Sequence, residues 1–220
     1  YPECCGMPML EQGNIEKVSE SASRIAESFQ TFIEQGYDVI ALTSSCALMM
    51  KYEWPLILPE NKSVKLLSEN AFDIDEYIVD ISKNEGLVDG MQPVEGGISL
   101  HLACHSRAQN MGAKSNELLK LIPDADISIV ERCSGHGGTF GVLSPTHELA
   151  RKVGKPAARQ VAKSDPSFVI SSCPLASKHL SQITKEDVIK DEAKDKMRSG
   201  HPIELMAVSY GFLKKEEMSE

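Results

Sequence analysis

Phe168-Val169-Ile170-Ser171-Ser172-Cys173-Pro174 is a short apolar run that empties into two serines and a cysteine. A β-branched run bounded by turn residues reads as a buried strand, here delivering a thiol at its C-terminal end. The pattern recurs along the chain. Asp38-Val39-Ile40-Ala41-Leu42 empties into Thr43-Ser44-Ser45-Cys46, and Ile98-Ser99-Leu100-His101-Leu102 delivers Cys104-His105. Ile127-Ser128-Ile129-Val130 delivers Cys133, followed by Ser134-Gly135-His136-Gly137-Gly138, a loop that neither helix nor strand would tolerate. Helical spacing fills the intervals at residues 14–35, 72–84, 107–121, 147–163 and 202–213. A shorter helix starts near Cys46 and is expected to stop at Pro55, and Thr184-Lys185-Glu186-Asp187 reads as a capping box. Alternating strands and helices predict an α/β fold with short, largely parallel strands and helices packed around them. The cysteines then fall at strand C-terminal ends, where open α/β sheets place their ligands.

The chain also reads as a duplication. Ser44-Ser45-Cys46 aligns with Ser171-Ser172-Cys173, and Cys4-Cys5-Gly6 with Cys133-Ser134-Gly135, at nearly equal separations. A long helix and a strand lie between the paired motifs in both cases. Residues 1–92 form one repeat and residues 93–220 the other. The first is incomplete at its start, because the counterpart of Cys104 would fall before Tyr1.

Composition narrows the function. The 220 residues carry a formal net charge of -9, which disfavours nucleic acid as a partner. No apolar run approaches the ~18 residues of a membrane span. With 41% hydrophobic residues the chain can bury a core without disulfides. Clustered cysteines in a reducing, cytoplasmic setting are metal-binding or redox-active more often than cross-linked. Cys104, Cys133 and Cys173 supply three thiolates, and His136 or His105 could add an imidazole. Such a set suits an iron–sulfur cluster, four-iron with a fourth ligand or three-iron without one, and equally a Cys₃His zinc site. Cys4, Cys5 and Cys46 form a second, depleted set. Gly135, Gly137 and Gly138 could cradle a cofactor phosphate with backbone N–H groups, though no full phosphate-binding fingerprint surrounds them. His101 reads as a sheet histidine as readily as a ligand. His147, His179 and His201 read as surface residues, and Met49, Met50 and Trp54 as core or subunit interface. Lys51 and Lys178 recur at matching positions, either near an anionic cluster or on the solvent face of a short helix.

Two copies of Cys…Cys-Cys-Gly…Cys resemble the cysteine-rich (CCG) domain of iron–sulfur oxidoreductases. The resemblance rests on Pro2-Glu3-Cys4-Cys5-Gly6-Met7-Pro8, Ser45-Cys46-Ala47-Leu48-Met49-Met50-Lys51-Tyr52-Glu53-Trp54-Pro55 and His101-Leu102-Ala103-Cys104-His105. The nearest branch is the C subunit of anaerobic glycerol-3-phosphate dehydrogenase, related in turn to the heterodisulfide reductase B subunit. The resemblance implies a cluster-bearing electron carrier between a flavin-containing dehydrogenase subunit, or another redox subunit, and a quinone or thiol acceptor. Any membrane contact would run through partners at the inner membrane. The family pattern offers five cysteines per repeat. Ser134, Ala176 and Met49 stand at three of those positions here, so neither repeat can form a five-thiolate site. The alternative is a zinc-binding or metal-free interaction domain that keeps the fold.

Overall fold

A computed structural model describes residues 3–189 and 196–219; Pro2 of the first motif and Glu220 of the charged tail lie outside them. Among the described residues the strands form two sheets whose strand-to-strand pairings are all parallel, with one isolated antiparallel bridge from Ser199 to Ser219. β1 (Val39–Ala41) pairs with β2 (Ala71–Asp73). β3 (Ile98–His101), β4 (Ile127–Val130), β5 (Phe168–Ser171) and β6 (Arg198–Gly200) lie in the order β4-β3-β5-β6. The expected α/β architecture of short parallel strands wrapped by helices is what the chain adopts.

Helix α1 (Met7–Glu11) follows the first cysteine turn, and α2 (Ile15–Glu34) runs 20 residues behind it. Asn14 caps α2 by accepting from the Lys17 N–H at 3.2 Å, and Gly36, at φ 88°, ends it. Its apolar stripe, Val18, Ala22, Ile25, Ala26 and Ile33, packs with Trp54, Val64 and Leu67 into one core. The sequence-matched helix of the second half, α9 (Ser144–Lys163), is also 20 residues long. The same offset that carries Cys4 to Cys133 carries the start of α2 to the start of α9. Small residues fill the buried face of α9: Ala150, Gly154, Ala157 and Ala158.

Several expectations need correction. Pro55 does not end the helix that starts near Cys46. That helix, α3 (Ser44–Leu48), widens into a π turn over Met49–Glu53 and continues as α4 (Trp54–Ile57). The wider turn moves backbone carbonyls away from the proline ring, which an α-helical interior could not do. Polar residues ahead of the third predicted helix form α5 (Lys62–Glu69), capped by Asn61, which accepts from Val64 N–H at 3.1 Å. The third helix itself is α6 (Ile74–Asn84), with β2 just before it. The helix expected over 107–121 is two pieces, α7 (Cys104–Ala108) and α8 (Lys114–Leu119), because Asn110 and Gly112 take φ of 53° and 82° between them. Thr184 starts no capping box; it is instead the C-cap residue of the preceding helix. Its hydroxyl donates to Leu180 C=O at 2.7 Å, and the chain passes from α10 (Pro174–Ile183) into a π turn. The last helix, α11 (Pro202–Ser209), starts at Pro202 as expected.

Candidate metal centre

In the first half, Gly6 takes φ 87° and turns the chain sharply behind Cys4 and Cys5. Glu3 pins this turn to α2. Its carboxylate accepts from Arg24 at 2.7 and 3.1 Å and from Ser21 at 3.0 Å, and Arg24 holds its carboxyl below the usual range. Trp54, fully buried, donates its indole N–H to Cys5 C=O at 3.1 Å. Cys46 sits in the first turn of α3, just past β1. These constraints bring the Cys5 and Cys46 sulfurs to 3.4 Å, sharing one S–H···S hydrogen bond. The pair titrates as a unit. The shared hydrogen bond brings Cys46 down to about 6 and pushes Cys5 up, so one thiolate forms readily and the second proton stays. Cys4 is exposed beside them.

In the second half, Cys104 opens α7 beyond β3, and Cys173 is the N-cap residue of α10 beyond β5. Burial pushes the Cys173 thiol up, and nearby Cys104 and Glu11 add to the rise. The structure therefore brings Cys104 within electrostatic reach of Cys173. Cys133 is exposed at the head of the glycine loop, where its Sγ accepts from Gly135 N–H at 3.3 Å. Gly135, Gly137 and Gly138 all take positive φ. Gly138 leaves a notch filled by the carboxylate of Glu11, from the end of α1, so the first half reaches into the loop of the second. That carboxylate opposes a phosphate in the same notch. His105 is half-buried in the first turn of α7.

His136 packs its buried ring against His179, with centroids 5.7 Å apart, and the His147 ring lies 6.1 Å from that of His179. His147 Nδ1 lies 2.7 Å from Gly141 C=O. Burial lowers His136 and His179, so both favour the neutral form. His179 and His201 are thus buried, contrary to the surface positions expected for them; His201 caps α11, accepting from Ile203 N–H at 3.2 Å. His101 is a sheet histidine, bonded to Ser171 Oγ and Arg132 C=O, each at 3.1 Å. Met49, Met50 and Trp54 are core. Lys51 is paired with Glu76 at 2.5 Å, whereas Lys178 faces solvent.

The two halves meet at their cysteine turns. Ser44 N–H donates to Ser172 C=O at 3.3 Å. Gln109, just past α7, donates to Ser44 C=O at 3.2 Å and to Asp73 at 3.0 Å, and accepts the Tyr52 hydroxyl on its own C=O at 3.0 Å. Asp75, at the start of α6, accepts from Ser115 Oγ at 2.5 Å, and burial lifts it to about 7. No sequence signal pointed to this seam or to Glu11, because spacing alone does not say which turns face each other. All six cysteines are free. Among the described residues, no three histidine, cysteine or acidic side chains close on one point as a single metal ion would require. A tetrahedral zinc site would hold its sulfurs roughly 3.8 Å apart. Cys5 and Cys46, at 3.4 Å, lie closer than that, so the pair would part to take either a zinc ion or a cluster.

The family model of the cysteine-rich domain (CCG) matches residues 1–51 and 98–180. Among curated proteins, the chain is 24% identical over 208 residues to the C subunit of anaerobic glycerol-3-phosphate dehydrogenase from Escherichia coli, covering 93% of this chain and 49% of that protein. It is 27% identical to the B subunit of fumarate reductase (CoM/CoB) from Methanothermobacter marburgensis, with 94% and 38% covered. It is 28% identical to an uncharacterized iron–sulfur protein of Methanococcus maripaludis, with 80% and 33% covered. The chain spans about half the length, or less, of these relatives.

Proposed function

Because the chain belongs to the cysteine-rich (CCG) domain family, we propose that it is the iron–sulfur electron-transfer part of an oxidoreductase. The observation that carries the reading is the meeting of thiols remote in sequence. Cys5 and Cys46, 41 residues apart in the chain, come to 3.4 Å across the first half. The readily formed thiolate of the Cys5–Cys46 pair suits a cationic iron centre, since thiolate rather than thiol is the ligand. Cys4, Cys5 and Cys46 would hold a cluster in the first half, and Cys104, Cys133 and Cys173 in the second, as 4Fe-4S or 3Fe-4S. A bound cluster supplies one-electron exchange. The protein supplies the docking body and the low-dielectric surroundings that set the potential. The Ser44–Ser172 contact keeps the two cysteine turns side by side, which supports passage of electrons from one half to the other.

The names of the relatives support a place in a multi-subunit complex. Electrons would run between a flavin-containing partner protein and a quinone or thiol acceptor. No helix among the described residues is long and apolar enough to cross a membrane, so membrane contact would come through partners.

Anaerobic purification followed by iron and acid-labile sulfide analysis tests the reading. Brown protein with iron and sulfide in near-equal amounts is expected. Colourless protein without iron overturns it. One zinc per chain, with stability lost on chelation, would instead favour the structural-domain alternative.

A further inference from the structure

Three histidines of the second half have no counterpart in the first. The offset that carries Cys4 to Cys133 carries Met7 to His136 and Val18 to His147, and the offset that carries Cys46 to Cys173 carries Tyr52 to His179. Met7 and Val18 belong to the core of the first half. A repeat of this fold therefore closes these positions with apolar side chains, and packing alone does not call for imidazoles there. In the second half His136, His147 and His179 line a pocket of about 310 Å³ together with Leu175, Lys178 and Gln182. His136 and His179 are only 5% and 6% exposed, yet Nε2 of each has no hydrogen-bond partner. A buried polar atom left this way is destabilising, and a ligand that supplies the partner removes the cost.

The surrounding hydrogen bonds fix what such a ligand must offer. His147 gives its Nδ1 proton to Gly141 C=O at 2.7 Å, and His179 gives the proton of its other ring nitrogen to Ala150 C=O. In the neutral form each then presents a bare Nε2, which accepts and cannot donate. Lys178 offers donors only, and His136 can carry its proton on Nε2. Among the described residues lining the pocket none is acidic; Glu11, seated at Gly138, lies outside it. The occupant must therefore accept from a cation and donate to an imidazole at once. A metal ion does not suit, because the three rings do not close on one point. A carboxylate or a sulfate can only accept. A phosphate group that keeps one proton does both. We infer that this pocket binds a phosphate group, free or as a small monoester. Its anionic oxygens accept from Lys178 and His136, and its P–OH donates to Nε2 of His179. Leu175, 57% exposed, gives the organic part of an ester an apolar wall.

Calorimetric titration of the anaerobically purified protein tests the inference with inorganic phosphate, phenyl phosphate and sulfate. It is run near pH ~6, where a phosphate group still holds a proton in part. Saturable binding of one phosphate group per chain is expected, with sulfate at least about 10-fold weaker because it has no proton to give. Whichever phosphate binds tighter names the source, monoester or free ion, and either order supports the inference. His136→Met, which places the first half's residue there, and Lys178→Met should each weaken phosphate at least about 10-fold, with iron content at the parental level. No saturable phosphate binding, sulfate as tight as phosphate, or unchanged affinity in both variants overturns the inference. Iron lost together with phosphate affinity in His136→Met overturns it too, since that histidine would then be a cluster ligand. Iron-free protein that still binds phosphate in this pattern supports the inference while overturning the electron-transfer reading.

Discussion

Gly6 and Gly135 turn the same corner in the two halves, at φ 87° and 78°, yet a methyl group would meet very different neighbours. At Gly6 it would touch the Val18 side chain at 3.5 Å, an ordinary contact. At Gly135 it would run into Ala150 C=O at 2.1 Å and Gly154 N at 2.6 Å. The second half therefore presses its cysteine turn directly onto α9, whose small residues let backbone meet backbone. The first half leaves a layer of side chains between turn and helix. The burial pattern of the two turns is nonetheless the same: Cys4 and Cys133 are exposed, and Cys5 and Ser134 are buried. What differs is the buried side chain, a thiol that shares a hydrogen bond with Cys46 in the first half and a serine in the second.

Gly135→Ala is the sharpest way to break this contrast. It should cost at least about 3 kcal/mol, or prevent folding, because backbone cannot give way as a side chain can. Gly6→Ala should cost only about 1 kcal/mol, the strain of a left-handed alanine. Denaturant midpoints of the two variants provide the check. Equal losses would mean that the turns are packed alike.

Acidity separates the halves next. Burial holds His101 and His201, in the second half, down to about 4. Each is neutral in the fold, so the stability it contributes is present above the unfolded value near 6.5 and is lost as pH falls towards 4. Asp75, in the first half, is raised to about 7. Its contribution is present below the unfolded value near 4 and is lost as pH rises through 7. Each group is worth on the order of 3–4 kcal/mol across its window. Melting temperatures from pH 4 to 8 should show Asp75→Asn removing a loss on the alkaline side. His101→Gln should remove one on the acid side.

The smallest test compares two lysines at matching positions. Lys51→Met breaks a pair with Glu76 that keeps some contact with solvent, and should cost about 1 kcal/mol. Lys178→Met, at an exposed position, should stay within about 0.5 kcal/mol. Urea titration of both variants reads the difference.

The parts of the molecule legible in the sequence are those that local pattern controls. β-Branched runs fixed β1, β3, β4 and β5, and the apolar stripe of α2 fixed its ends to within a residue. β2 and β6, three residues each, are too short to carry a period. The break between α7 and α8 depends on a left-handed Asn110, which composition does not announce. Around the candidate centre, the six cysteines and their strand ends were visible. The 3.4 Å meeting of Cys5 with Cys46, the reach of Glu11 to Gly138 and the contact of Ser44 with Ser172 were not, because each depends on how the halves dock. His136 carried the right chemistry in a flexible loop, but its ring packs against His179, a neighbour no spacing rule pairs with it.

The account turns on the thiols of both halves serving one redox task. Low-temperature EPR of the reduced, anaerobically purified protein tests this most directly, with iron counted in the parent and in Cys46→Ala and Cys173→Ala. The account predicts a cluster signal in the parent, with iron and signal lost in part in each variant. Full iron and an unchanged signal in both variants, or a parent without iron, would contradict it.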